Sequence, residues 1–194
     1  ERRIFAYFGE LRFDPTTRLS VTGGVRVDHI GLNALAGDAF GRPTFTDQTE
    51  VSANPRVSLG WYVRPADVTD DWPRLRVSAG TGIRPPGAFE IAFTDNPALK
   101  PERTRSFDVG LEQALASGRI VVEATAFYNH YNDLIVSGGQ SFQDASQFRT
   151  DNLDNSRARG LELAASARTA QGFEARATYT WLDTEVLELD AADG

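Results

Sequence analysis

The chain of 194 residues contains no cysteine and no methionine. Without cysteine there is no disulfide framework and no thiolate metal site. Histidine is nearly absent too. His29 and His130 are the only two, and no spacing joins them into a ligand set, so each reads as a lone polar residue near a strand end. No run of 18 apolar residues occurs, which excludes a transmembrane helix. Nothing at the start has the pattern of a signal peptide. Positive charge is in deficit, with 20 Lys and Arg against 27 Asp and Glu. The resulting net charge of −7 argues against nucleic acid as a partner. Glu1 opens the sequence without an initiator Met, and the expectation is a piece of a longer chain. No catalytic Ser/His/Asp order, metal-ligand spacing or phosphate loop stands out, so neither an enzyme nor a cofactor is expected.

What is present is alternation. Residues 4–13 put Phe5, Tyr7, Leu11 and Phe13 on one face and Ala6, Phe8, Glu10 and Arg12 on the other. A period of two is the mark of a strand. Asp14-Pro15-Thr16-Thr17 has turn composition, and residues 18–30 resume with Leu19, Val21, Val25 and Val27 opposite Ser20, Thr22, Arg26 and Asp28. Together they predict an antiparallel hairpin. Further strands are predicted over 50–64, 74–84, 104–115, 119–136, 156–168 and 173–184. Pro55 weakens the start of the third. The links alternate in length. Segments 31–49, 85–103 and 137–155 read as long loops, while 14–17, 65–73, 116–118 and 169–172 are shorter. The rhythm predicts eight strands in one up-and-down sheet.

The central stretch carries the most specific phrases. Gly80-Thr81-Gly82-Ile83-Arg84-Pro85-Pro86 ends one strand, Asn96-Pro97-Ala98-Leu99-Lys100-Pro101-Glu102 fills the loop, and Gly110-Leu111-Glu112 lies in the next strand. Gly80 and Gly82 do not start a dinucleotide fingerprint, because Pro85 stands where the third glycine belongs and no helix pattern follows. The three phrases resemble, in order and spacing, the signature of TonB-dependent outer-membrane receptors. Ile83 replaces the usual phenylalanine. Phe127-Tyr128-Asn129-His130-Tyr131-Asn132-Asp133-Leu134-Ile135 and Gly160-Leu161-Glu162 are similar to two more phrases of that family.

The resemblance implies a multi-pass transmembrane β-barrel in the outer membrane of a Gram-negative bacterium. This chain would supply about eight strands of a wall of about 22. The family's plug domain and the segment that engages the energy-coupling protein TonB are not seen, nor is the family's last strand with its terminal aromatic. All of residues 1–194 are expected to be barrel. The implied function is active uptake of a scarce small molecule such as a ferric siderophore, cobalamin or a sugar.

Charge placement fits that expectation. Arg26, Arg56, Arg76, Asp108, Glu112, Glu123, Glu162, Glu174 and Arg176 all fall on the polar face at mid-strand, and the opposite face carries essentially none. A lipid-facing Arg or Lys at the bilayer midplane costs about 2–4 kcal/mol. Nine such errors would exceed any net folding stability. Phe13, Trp61, Phe173 and Trp181 lie near strand ends, as an interfacial girdle requires. Two alternatives share parts of the pattern. A passive porin has the same layout, and a soluble β-sandwich binding module alternates equally well. Against the sandwich stand the strand lengths and the small residues Ala53, Ala79, Ala124, Ala165 and Ala177, which fill a core poorly. Glu112, Glu123 and Glu162 offer carboxylate pairs, but arginines lie on the same face, and a solvated wall explains them without chemistry.

For ligand contact the candidates are Phe40, Phe45, Phe89, Phe93, Phe142 and Phe148 in the long loops. Either they form an aromatic platform for a ligand, or they pack the loops against one another. Arg84 and Glu102 flank the signature loop and are expected to pair across the lumen mouth, in a structural rather than a ligand-binding role. An isolated sheet of this kind, with two open edges and an apolar face, is expected to self-associate in water.

Overall fold

The computed structural model describes residues 2–37, 43–63, 73–92, 94, 96–140 and 147–188. Eight strands form one antiparallel sheet in chain order. They are β1 (Arg2–Thr16), β2 (Leu19–Leu32), β3 (Gln48–Tyr62), β4 (Pro73–Arg84), β5 (Glu102–Leu115), β6 (Ile120–Gln140), β7 (Gln147–Arg168) and β8 (Glu174–Glu188). A short helix, α1 (Ala88–Ala92), interrupts the β4–β5 link.

All eight expected strands are present, most of them longer than the alternation alone predicts. The largest difference is at 137–155, which the composition marks as loop. There β6 and β7 continue as a paired hairpin from Ser137↔Thr150 to Gln140↔Gln147. Gly138, Gly139 and the polar run beside them carry no apolar alternation, yet cross-strand pairing holds the backbone extended. The short links form as expected. Thr16 Oγ1 accepts from the amides of Arg18 and Leu19 and closes the β1–β2 turn. Ala116, Ser117 and Gly118 turn β5 into β6 through left-handed backbone.

Within the apolar band pairing keeps the two faces separate from β1 to β8, and the register shifts, between Phe13 and Thr16 and between Asn155 and Ser156, lie outside it. One cross-strand row runs Phe13, Val21, Leu59, Val77, Val109, Ala126, Leu161, Trp181 without a polar member. Among the described residues no second layer covers this face. Val25 is 46% and Trp181 50% exposed, which removes the sandwich reading.

The apolar band is slanted. On β1 it runs from Phe5 to Phe13, and along β8 from Phe173, the residue before the strand, to Trp181. Yet Phe13, at the short-turn end of the band, shares its row with Trp181, at the long-loop end. The band therefore slips by its full length, eight residues, over seven strand steps. At about 3.3 Å per residue and 4.8 Å per strand, the strands tilt about 38° from the normal of the band. Barrel walls tilt by roughly 35–45°. Above the band, toward the long loops, the same face becomes charged. Arg103, Arg105, Arg157, Arg159, Asp183 and Glu185 stand there, just beyond Phe107, Tyr128, Leu161 and Trp181. The charge-free expectation thus holds for the band and not for the strand extensions.

Two local features shape the wall. The β3–β4 ladder ends at Arg56↔Gly80, although both strands run on. Pro55 is the next residue and has no amide hydrogen to donate. The second feature is the approach of β8 to β7 at Gly160. A Cβ there would press on the Trp181 carbonyl oxygen and lie 2.6 Å from Phe127 Cζ. We expect Gly160→Ala to destabilise the complete barrel by about 1–3 kcal/mol. Gly82→Ala, with nothing within 4 Å of the new Cβ, should be neutral. Thermal unfolding in detergent, followed by gel mobility, distinguishes them.

Candidate functional site

The signature phrases meet at the long-loop end of β4 and β5. Arg84 closes β4 and Glu102 opens β5, and the register places them opposite one another. The Arg84 Nη2 and Nε groups donate to the two Glu102 carboxylate oxygens at 2.5 Å each. This is the bidentate geometry that suits guanidinium to carboxylate. Nη2 and Nη1 of Arg84 also donate to Glu90 at 2.9 and 3.2 Å. Glu90 in turn accepts the Gly87 amide, as a glutamate does three positions after a helix cap. The expected Arg84–Glu102 pair is present, between neighbouring strand ends at the base of the loop, and Glu90 joins it.

Both groups lie outside the apolar band, beyond Arg103 and Arg105. Burial pushes the Glu102 carboxyl up, but the Arg84 hydrogen bonds and the Ile135 amide at 2.9 Å outweigh it. The carboxyl is held below the usual carboxylate range. Arg84 is shifted upward, first by its hydrogen bond to Glu102, then by that to Glu90.

The rest of the loop is strapped to the β6–β7 hairpin. Asn96 Oδ1 accepts the Ala98 amide at 2.8 Å, an Asx turn around Pro97, and Asn96 Nδ2 donates to Asp151 at 2.8 Å. Thr94 Oγ1 donates to the Thr150 carbonyl oxygen at 2.6 Å, and both residues are fully buried. Asn152 accepts the Lys100 amide at 2.8 Å and donates to the carbonyl oxygens of Lys100 and Asp133. Asp133 has the left-handed backbone, φ 56°, that turns its carbonyl to this contact. On the other side Arg2 donates to the Pro86 carbonyl oxygen at 2.8 Å, and Arg103 pairs with Glu50 of β3. Leu99 and Ile91 are buried and, with Ile30, Leu32, Pro85 and Pro101, line a cavity of about 190 Å³ at the mouth.

Of the predicted ligand-contact residues, the structure describes the side chains of Phe45 and Phe89. Phe45 is 2% exposed and bridges to Leu35 by paired backbone bonds of 2.8 and 3.0 Å. Phe89 is exposed on α1. Phe40, Phe93 and Phe142 lie outside the described residues, and of Phe148 the structure describes only its place in β7, opposite Gly139. Gly80 and Gly110 sit where a Cβ would come within 3.3 and 3.0 Å of neighbouring atoms, so both serve close strand contact. Glu112 lies between Arg74 and Glu123 on the polar face. Asn152, Thr150 and Asp151 were missed as partners of the signature loop. They lie more than 50 residues from it and follow no local period.

The polar face holds scattered pairs rather than a reaction centre. Arg26 meets Asp28 at 2.8 Å, Arg76 meets Glu123 at 3.2 Å, and Ser78 donates to Asp108 at 2.5 Å. Among the described residues no three His, Cys, Asp or Glu gather as a metal site.

Residues 1–194 match the family model described as TonB dependent receptor-like, beta-barrel. The vitamin B12 transporter BtuB of Vibrio vulnificus (strain YJ016) is 25% identical over 157 residues, 80% of this chain and 24% of that protein. The chain thus spans about a quarter of the length of this relative. The copper transporter OprC superposes with a TM-score of 0.73 at 20% identity, covering 93% of this chain and 29% of that one. A double mutant of the Serratia marcescens hemophore receptor HasR, in complex with its hemophore HasA and heme, gives 0.70 at 24% identity, covering 94% and 34%.

The strap generates a pH prediction. A carboxyl depressed in the folded state stabilises it above the unfolded value, about 4.3, and ceases to as pH falls through the folded value. Protection of the Ile135 amide, corrected for intrinsic exchange, should be level from pH 8 to about 5 and fall below about 4. Glu102→Gln should lower that protection at neutral pH by about 1 kcal/mol, a modest figure because Arg84 is half exposed.

Proposed function

The chain belongs to the TonB-dependent receptor β-barrel family, and from that premise we propose that it forms part of the wall of an outer-membrane receptor for energy-coupled uptake. The apolar face meets lipid, the polar face lines the lumen, and the long-loop edge lies outside the cell. The whole of residues 1–194 is barrel, with plug and TonB-coupling parts supplied by other sequence. The cargo is a scarce small molecule of the ferric siderophore, cobalamin or sugar class. Relatives are transporters and receptors, not enzymes.

The observation that carries this reading is the slanted apolar band. Its run of about 26 Å along each strand, tilted by 38°, gives a height of about 21 Å, near the 25 Å apolar belt of such barrels. Phe5, Phe107, Tyr128 and Trp181 stand at its upper limit, with Phe13, Trp61 and Phe173 at its lower. That is an aromatic girdle on each side. A water-facing sheet has no reason to confine apolar residues to a belt that follows the strand tilt. The strapped signature loop supports the receptor over the porin, because it fixes the rim above the lumen face.

Two measurements test the proposal. In the complete protein in outer membranes, Val57→Cys and Leu161→Cys should resist a charged, impermeant maleimide and accept a lipid-soluble one. Ser58→Cys and Glu162→Cys should not show that preference, and equal labelling at all four sites overturns the lipid placement. Cells carrying the receptor should accumulate radiolabelled ferric siderophore, cobalamin or sugar, and a protonophore should abolish it. Accumulation to equilibrium that survives the protonophore identifies a passive channel.

A further inference from the structure

We propose that the apolar face carries a binding site for a phosphate-bearing lipid, with Arg105 and His130 holding the headgroup and the groove beside Pro55 holding an acyl chain. The inference rests on the placement of that face in a bilayer.

The groove follows from the parting of β3 and β4. The ladder between them stops at Arg56↔Gly80, and the space left on the apolar face is an open groove of about 370 Å³. Pro55, Val57, Ala79 and Thr81 line it, and Arg105 stands at its head. Its lining is mostly carbon, which suits a hydrocarbon chain.

The head of the groove is cationic. Arg105 of β5 faces His130 of β6, and His130 faces Arg157 of β7. Direct cross-strand neighbours stand about 5 Å apart, so the row presents donors to one anion from two or three directions. Arg157 and Arg159 already have carboxylates, Glu185 and, at 2.8 Å, Asp183. Arg105 and His130 make no side-chain hydrogen bond or ion pair with any described residue. Phe107 and Tyr128 lie one step below them, at the edge of the band. An occupant must therefore place its negative group at the upper interface and its hydrocarbon below, beside β3 and β4. A tetrahedral phosphate on an acyl-bearing lipid meets both demands, and guanidinium with imidazole is a donor set suited to it.

The test uses the complete receptor purified in detergent. It is titrated with phosphatidic acid, diacylglycerol of the same chains, a fatty acid of the same length, and inorganic phosphate, with bound molecules counted by native mass spectrometry. We expect phosphatidic acid to bind at least tenfold more tightly than the other three. Arg105→Gln with His130→Gln should remove that advantage, while Arg12→Gln on the opposite face should not. Ala79→Trp, which fills the groove without touching the cationic row, should weaken phosphatidic acid and leave inorganic phosphate unchanged, and it serves if the double variant does not fold. Equal binding of diacylglycerol, of the fatty acid or of free phosphate overturns the assignment, as does an unchanged affinity in both variants. Uptake that persists in variants with lost lipid binding separates this site from the transport reading.

Discussion

Everything in this wall depends on register. A strand alternates its side chains with a period of two, so a slip of one residue in any ladder would exchange the faces of every strand beyond it. Through the apolar band the seven ladders hold without such an exchange, from Phe13 on β1 to Trp181 on β8, and the shifts at Phe13/Thr16 and Asn155/Ser156 fall outside it. The tight turns at 17–18, 116–118 and 169–172 fix three of the hairpins, and the side-chain rows do the rest. One shared alternation then gives the sheet a polar and an apolar face. The polar face pairs Arg26 with Asp28 and Arg76 with Glu123. The other face keeps Val, Leu and Ala.

The signature loop is best understood as a strap. Its phrase Asn-Pro-x-Leu-x-Pro-Glu supplies an Asx turn, a buried leucine and the carboxylate that takes both the Arg84 fork and the Ile135 amide. None of these is reaction chemistry. Together they hold a 17-residue link, which would otherwise pay for its length in entropy, against the β6–β7 hairpin. The rim is thus built from side-chain hydrogen bonds, and the body of the wall from backbone ladders.

Much of the fold was legible in the sequence, because alternation states strand and face together. Residues 19–27, with valine or leucine against serine, threonine or arginine, leave little choice. What was hidden has physical reasons. Ser137 to Gln140 pair as strand although glycine and glutamine give no period. Five residues of α1 are too few to show a helical one. The charges at Arg157, Arg159, Asp183 and Glu185 lie on the apolar parity but past the belt, and only the register reveals where that belt ends. At the site, the Arg84–Glu102 pair was within reach because both residues bracket one loop. Thr150, Asp151 and Asn152 were not, since their contacts are made across more than 50 residues. Of the loop phenylalanines with described side chains, Phe45 is enclosed and Phe89 is exposed, and no period in the sequence tells one from the other.

The parting of β3 and β4 beside Pro55 has a mechanical meaning. Below it, tension across the sheet passes from strand to strand through backbone hydrogen bonds. Above it, the same load must detour through Arg103 to Glu50 and through Arg2 to the Pro86 carbonyl. The sheet is therefore stitched at its waist and merely laced at its collar, by one ion pair and one guanidinium bond to a backbone oxygen.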